Sequence, residues 1–191
     1  DYVIVDTSPS LGALNKSVIS TVDGFFIPAL PDLFSLYGIK NIGKALSSWK
    51  EEFDIIYQLI SVEKRKNFPD KFVTFLGYTI YNAKKYSGSK NEWGLAEAHF
   101  NYAKQIPETI RGNIKKDLRD HLSEEQLISP IGGREIMLTH NTFPSMAQYY
   151  HRPMWKIPDL LPNVDSDHLN TLRGSSEKYR ETGVAYRRFV E

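Results

Sequence analysis

The chain has no cysteine. Disulfide frameworks and thiolate metal sites are therefore excluded. It also has almost no net charge, since 24 Lys and Arg against 23 Asp and Glu leave +1. No global field draws it toward nucleic acid or a membrane, so any such contact must rest on a local patch. No apolar run approaches the roughly 18 residues of a membrane span, and no signal peptide is evident. His99, His121, His140, His151 and His168 are scattered, and none forms a His-x-x-x-His or Glu-x-x-His pair. Metal-dependent hydrolysis thus has no motif behind it. Ser8-Pro9-Ser10-Leu11-Gly12 lacks the leading glycine of Gly-x-Ser-x-Gly, a change that a nucleophile elbow does not easily tolerate. The expectation from these absences is a cytoplasmic protein.

What is present is a chain of 191 residues, 41% hydrophobic, enough for one domain with a real core. The expectation is a single domain over 1–191. Residues 2–5 read as a strand, 13–21 as a short helix and 24–28 as a second strand. From Pro31-Asp32 a long amphipathic helix follows, with Leu36, Ile39, Ile42, Leu46, Trp49, Phe53 and Ile56 at three- or four-residue steps. The polar run 63–66 and Pro69 close it. Residues 72–81 form a third strand, and strands alternating with helices predict a parallel sheet. Residues 86–90 are expected to be a mobile loop. Two helices follow, divided near Pro107. Gly132-Gly133 marks a turn, 135–139 a short strand and 143–150 a short helix. Residues 153–162, with three prolines, read as an extended connection, and a last helix covers about 168–190.

The richest stretch is Asp1-Tyr2-Val3-Ile4-Val5-Asp6-Thr7-Ser8-Pro9-Ser10-Leu11-Gly12. Four β-favouring residues lead into an aspartate, and a loop with Pro9 and Gly12 follows. A buried parallel strand delivers a metal-organising carboxylate to a phosphate site in this way. A glycine beyond it lets the backbone approach a terminal phosphate. A capping aspartate at an ordinary strand-to-helix turn is the alternative, and spacing leaves both open.

The segment resembles the Walker B and switch II region of the ParA/MinD-type deviant-Walker ATPases, the chromosome and plasmid partition family. The similarity continues through Val22-Asp23-Gly24-Phe25-Phe26-Ile27-Pro28 and Pro31-Asp32-Leu33-Phe34-Ser35-Leu36-Tyr37-Gly38. Later parallels are Phe75-Leu76-Gly77 with Asn82, then 142–147 with Arg152-Pro153. The resemblance is most specific in the first forty residues or so and weakest over 83–130. It implies a three-layer, mostly parallel α/β sheet of the P-loop type, of which this chain is the carboxyl-terminal part, truncated at the N-terminus. Asp6 would be the Walker B carboxylate for Mg²⁺, Pro9 and Gly12 the γ-phosphate-sensing switch, and Asn82 a contact to the base. Pro28 and Pro31 would shape the loop beside that base. Asn82 reads equally as a polar strand terminator, and Ser8 departs from the family's usual second proline. The resemblance further implies ATP and Mg in the full-length parent, a homodimer, non-specific DNA and a centromere-binding-type partner. A related binding module without ATPase activity and a division-site positioner are the alternatives.

The family's phosphate loop, with its lysines and threonine, is missing from the sequence. Gly38-Ile39-Lys40-Asn41-Ile42-Gly43-Lys44-Ala45 approaches G-x-x-x-x-G-K-[ST], but Ala45 has no hydroxyl and Ile39, Ile42 and Leu46 belong to a helix face. The chain alone is therefore expected to bind no ATP. Two basic clusters remain. Ile106, Ile110, Ile114, Leu118 and Leu122 form an apolar row at four-residue spacing, beside a row of Arg111, Lys115 and Arg119 with Lys116 close by. Such a row grips DNA phosphates without sequence preference. A solvated face with ion pairs to Glu108, Asp117 and Asp120 is the alternative that near-zero charge favours. Lys84, Lys85 and Lys90, interleaved with Tyr81 and Tyr86, are the second cluster.

Overall fold

A computed structural model describes residues 1–8, 10–133 and 138–190. The fold is mixed α/β. Among the described residues it has a two-stranded parallel sheet and eight α-helices. In chain order these are α1 (Ala13–Ile19), β1 (Gly24–Ala29), α2 (Leu33–Leu59), α3 (Val62–Arg65), β2 (Thr74–Ile80), α4 (Glu97–Ala103), α5 (Ile106–Asn113), α6 (Glu124–Ile128), α7 (Phe143–Tyr149) and α8 (Ser166–Val190).

The β1–α2–β2 unit organises the main core. Apolar periodicity in α2 places Leu36, Ile39, Leu46, Trp49 and Phe53 inside, against Phe75, Tyr78 and Ile80 of β2 and Ile106 and Ile110 of α5. Gly43 is where α2 and α5 approach most closely: a Cβ there would lie 2.3 Å from the Asn113 carbonyl oxygen. β1 and β2 run in register from Gly24↔Thr74 to Ala29↔Ile80, with one irregularity at Phe25/Phe26, where Leu76 has no partner on β1. The extra residue bulges β2, and Gly77 follows at φ +133°, a conformation suited to glycine.

Two expectations fail here for physical reasons. Residues 2–5 do not form a strand, and Tyr2, Val3 and Ile4 are 101%, 87% and 84% exposed. A strand exists through its ladder, and this run pairs with nothing among the described residues. The sheet accordingly shows two strands where three layers around a larger sheet were expected. Residues 153–162 are not extended, since a 3-10 helix spans Met154–Leu160 and buries Met154, Ile157 and Pro158. Residues 86–90 are a loop, as expected, at the tip of a short hairpin. Lys85 pairs antiparallel with Leu95, Tyr86 N–H donates to Gly94 O, and Ala96 N–H donates to Lys84 O at 2.8 Å.

The strand expected over 135–139 lies largely outside the described residues. Leu138, at its edge, bridges Ala83 in parallel, and Thr139 N–H donates to Ala83 O. The last third builds a second core in which Met146, Met154, Ile157, Leu172 and Tyr179 pack together and Phe143 stacks on Tyr179.

Candidate functional site at the carboxyl edge of the sheet

Parallel pairing sends both strand ends to one edge, the side where open α/β sheets bind ligands. Tyr81 N–H donates to Ala29 O at 3.1 Å, so the chains leave β1 and β2 side by side. After β1 the turn is latched to α2 from both directions. Leu30 N–H donates to Ser35 Oγ at 3.0 Å, and Ser35 N–H donates to Asp32 Oδ1 at 2.8 Å. Asp32 is the N-cap of α2, which satisfies one of the helix's orphan donors. Pro31 is buried within this turn. After β2, Tyr81 is 40% exposed and Asn82 is exposed at φ +57°, a left-handed conformation that asparagine tolerates better than most residues. The structure thus brings Pro31 and Asn82 to one edge.

Pro28 lies elsewhere. The Asp23 and Ala29 carbonyls accept from Thr74 and Tyr81 on the β2 side. Alternate residues of a parallel strand face opposite neighbours, so Pro28 presents its ring nitrogen to the open edge of β1. A proline is tolerated there because no ladder donor is lost.

The loop ahead of α1 is held from below. The buried Asn15 side chain donates to Ser8 O at 2.5 Å, to Ser8 Oγ at 3.2 Å, and to Ser10 O. Sequence reasoning missed Asn15; its only signal is an amide on the inner face of a short helix. Gly12 is the N-cap of α1 with φ −80°. A Cβ there would meet only Ser10 Oγ, at 3.6 Å. Neither backbone strain nor crowding requires glycine at this point, which leaves room for a close approach from outside. Pro9 lies outside the described residues. Asp6 is exposed and makes no hydrogen bond or ion pair among the described residues.

An ATP–Mg²⁺ site is only partly matched by these residues. A sheet edge carrying Asn82 and an exposed carboxylate, Asp6, are present. However, no group of three His, Asp or Glu among the described residues is arranged to hold a metal. The Gly38–Ala45 stretch is helical, with Ile39 buried and Gly43 pressed on Asn113, so it forms no phosphate cradle.

The helix expected to carry Arg111, Lys115, Lys116 and Arg119 as one row ends at Asn113. Ile114 is extended, and a 3-10 turn covers Lys116–Leu118. Arg111 pairs with Glu108 and with Glu124 at 2.6 Å, and Lys115 pairs with Glu51 at 3.2 Å. Arg119 donates Nε to Ile114 O at 3.0 Å and Nη2 to Arg111 O at 3.2 Å. It thereby satisfies carbonyls that the end of α5 leaves open. Asp117 faces Lys50 at 3.7 Å.

Residues 1–59 match the family described as AAA domain. Over 54 residues the chain is 32% identical to the cell division protein PomZ of Myxococcus xanthus, a stretch covering 28% of this chain and 17% of PomZ. Both matches support a P-loop ATPase family. No solved structure matches. Among the described residues, no helix is long and apolar enough to cross a membrane.

Proposed function

We propose that the chain is the carboxyl-terminal portion of a ParA-like ATPase, an ATP-dependent dimerisation switch that binds DNA and a centromere-binding-type partner in DNA partitioning. The observation that carries this reading is the AAA-domain match over residues 1–59, the segment that holds Asp6, Gly12, Pro28 and Pro31. The carboxyl edge, which Pro31 and Asn82 follow on neighbouring strands, supports it as the base side of a nucleotide site. In the parent, ATP supplies the energy of the switch and Mg²⁺ the charge neutralisation. In this chain Asp6 would hold the metal through water, the turn at Gly12 would admit the terminal phosphate, and Asn82 would meet the base.

A specific observation favours a second reading within the same family. The matching PomZ is a cell division protein, so division-site positioning is the alternative to partition. A binding module that has lost its nucleotide chemistry is the reading left if the first test fails.

That test uses a chain extended ahead of Asp1 by the phosphate-loop segment of a partition ATPase. The expected result is Mg-dependent ATP turnover, reduced at least tenfold by Asp6→Asn, since removing a metal-organising charge removes transition-state stabilisation. Turnover unchanged by Asp6→Asn, or no turnover in a folded extended chain, would overturn the assignment.

A further inference from the structure

The two basic clusters differ in what their charges already do. Arg111, Lys115 and Arg119 are spent on internal acids and carbonyls. Among the described residues the ammonium groups of Lys84, Lys85 and Lys90 make no ion pair, and all three residues are exposed. They sit on the hairpin that follows β2. Asn91 fixes its far end, donating Nδ2 to Leu95 O at 2.8 Å and accepting Leu95 N–H on Oδ1 at 3.1 Å.

The hairpin also carries aromatic surface. Tyr86 is 60% exposed. Its ring lies over Gly88, where a Cβ would come within 3.1 Å of Cε1, and Ser89 N–H donates to Tyr86 O to close the turn beneath it. The turn thus packs against the Cε1–Oη side of the ring, and most of the residue stays exposed. Tyr81 is exposed nearby in sequence. Beside Lys85 lies a cavity of about 390 Å³ lined by Asn91, Glu92, Trp93, Leu95 and Leu138. Trp93 is braced edge-on by Phe100. Among the described residues Glu92 is the one acid lining it, against Lys85 in the same lining and Lys84 and Lys90 on the same hairpin.

We infer that this hairpin binds single-stranded nucleic acid independently of any nucleotide switch. Lys84, Lys85 and Lys90 meet successive phosphates, an unpaired base stacks on the exposed ring of Tyr86, and the cavity beside Lys85 and Trp93 receives a neighbouring base. Free ammonium groups interleaved with exposed aromatic rings suit a strand whose bases are unstacked. A duplex offers phosphates but no base face. The inference does not rest on the ATPase reading, because binding is measured without ATP or Mg²⁺.

The test is fluorescence anisotropy of a labelled 20-nucleotide oligothymidylate, and of a labelled duplex of equal length, against the 191-residue chain across a salt series. Each phosphate contact contributes about 0.7 to the log–log salt slope for a single strand. The triple variant Lys84→Ala, Lys85→Ala, Lys90→Ala is therefore expected to lower the slope by about 2. Tyr86→Ala weakens single-strand binding by about 5- to 100-fold, from the range for base stacking, with little effect on duplex binding. Tyr86→Phe retains binding, and Lys64→Ala, at an exposed lysine of α3 outside both basic clusters, changes it less than about twofold. Far-ultraviolet dichroism of each variant verifies the fold. The inference is overturned if the wild-type chain binds no single strand, if the triple variant keeps its slope, or if Tyr86→Ala is neutral while duplex and single strand bind alike.

Discussion

Residues 2–5 and β2 are both short runs of β-favouring residues that end beside a proposed site residue, Asp6 in one case and Asn82 in the other. They meet opposite fates. β2 pairs with β1 along its length, and Phe75, Tyr78 and Ile80 are fully buried. Tyr2, Val3 and Ile4 pair with nothing among the described residues and are almost wholly exposed. The difference teaches that propensity proposes a strand, while the ladder and the apolar face make one. It also separates the two halves of the proposed site: the edge carrying Asn82 is built into the core, and the segment carrying Asp6 is attached through the Asn15 side chain.

Core truncation is the strongest way to break this comparison. Phe75→Ala is expected to cost about 3–5 kcal/mol, lost transfer energy plus a residual cavity. Ile4→Ala is expected to stay within about 0.5 kcal/mol. Chemical denaturation of the two variants measures both, and an equal cost would show that residues 2–5 are embedded after all.

The two glycines of the apparent phosphate loop sharpen it next. Gly43→Ala drives a Cβ into the Asn113 carbonyl and is expected to cost about 1–3 kcal/mol through overpacking. At Gly38 a Cβ meets nothing within 4 Å. Gly38→Ala is therefore expected to stabilise α2 by about 0.5–1 kcal/mol. Thermal unfolding gives the opposite signs directly, and a loss at Gly38 would contradict a plain helix there.

The buried end of β2 also leaves a pH signature. Burial pushes the Tyr78 hydroxyl well above its ordinary range, which is about 10. Below that value folded and unfolded chains both hold the proton, and stability does not depend on this group. Above it the unfolded chain ionises first, so stability falls as pH rises. Tyr78 also donates to Ile128 O at 2.9 Å. Tyr78→Phe should therefore cost about 1 kcal/mol near neutral pH and flatten the alkaline decline, as read from urea midpoints between pH 8 and 11. A decline as steep in the variant as in the wild type would place the titration elsewhere. An effect of similar size is expected at the site edge, where Asp32→Ala removes the α2 cap and costs about 1 kcal/mol in thermal unfolding.

Much of this was legible. α1, β1, α2, β2, α7 and α8 fall where periodicity and turn residues put them, because each has a buried face that patterning reports. The row Ile106, Ile110, Ile114, Leu118, Leu122 was legible as core, since the first four are buried and Leu122 packs against them. Its helical form was not. At 3.6 residues per turn, four-residue steps drift about 40° each, so one straight helix does not hold five such residues on a single face. The chain breaks at Ile114 and re-enters through a 3-10 turn. Of the site, Pro31 and Asn82 were placed together by parallel pairing, which alternation of elements foretold. The hairpin after β2 was hidden because it is closed by backbone bonds between residues eight to twelve apart, such as Tyr86 to Gly94 and Ala96 to Lys84, which no local pattern reports. The acids holding Arg111 and Lys115 sit on α2 and α6 as well as α5, and no local window joins them.

Under the proposed ATPase reading these 191 residues would carry the base edge and an open carboxylate of an ATP site, with no phosphate cradle among the described residues. Calorimetric titration of the purified chain with Mg-ATP tests it most directly. The account predicts no saturable binding at millimolar nucleotide, and stoichiometric, Mg-dependent binding would contradict it.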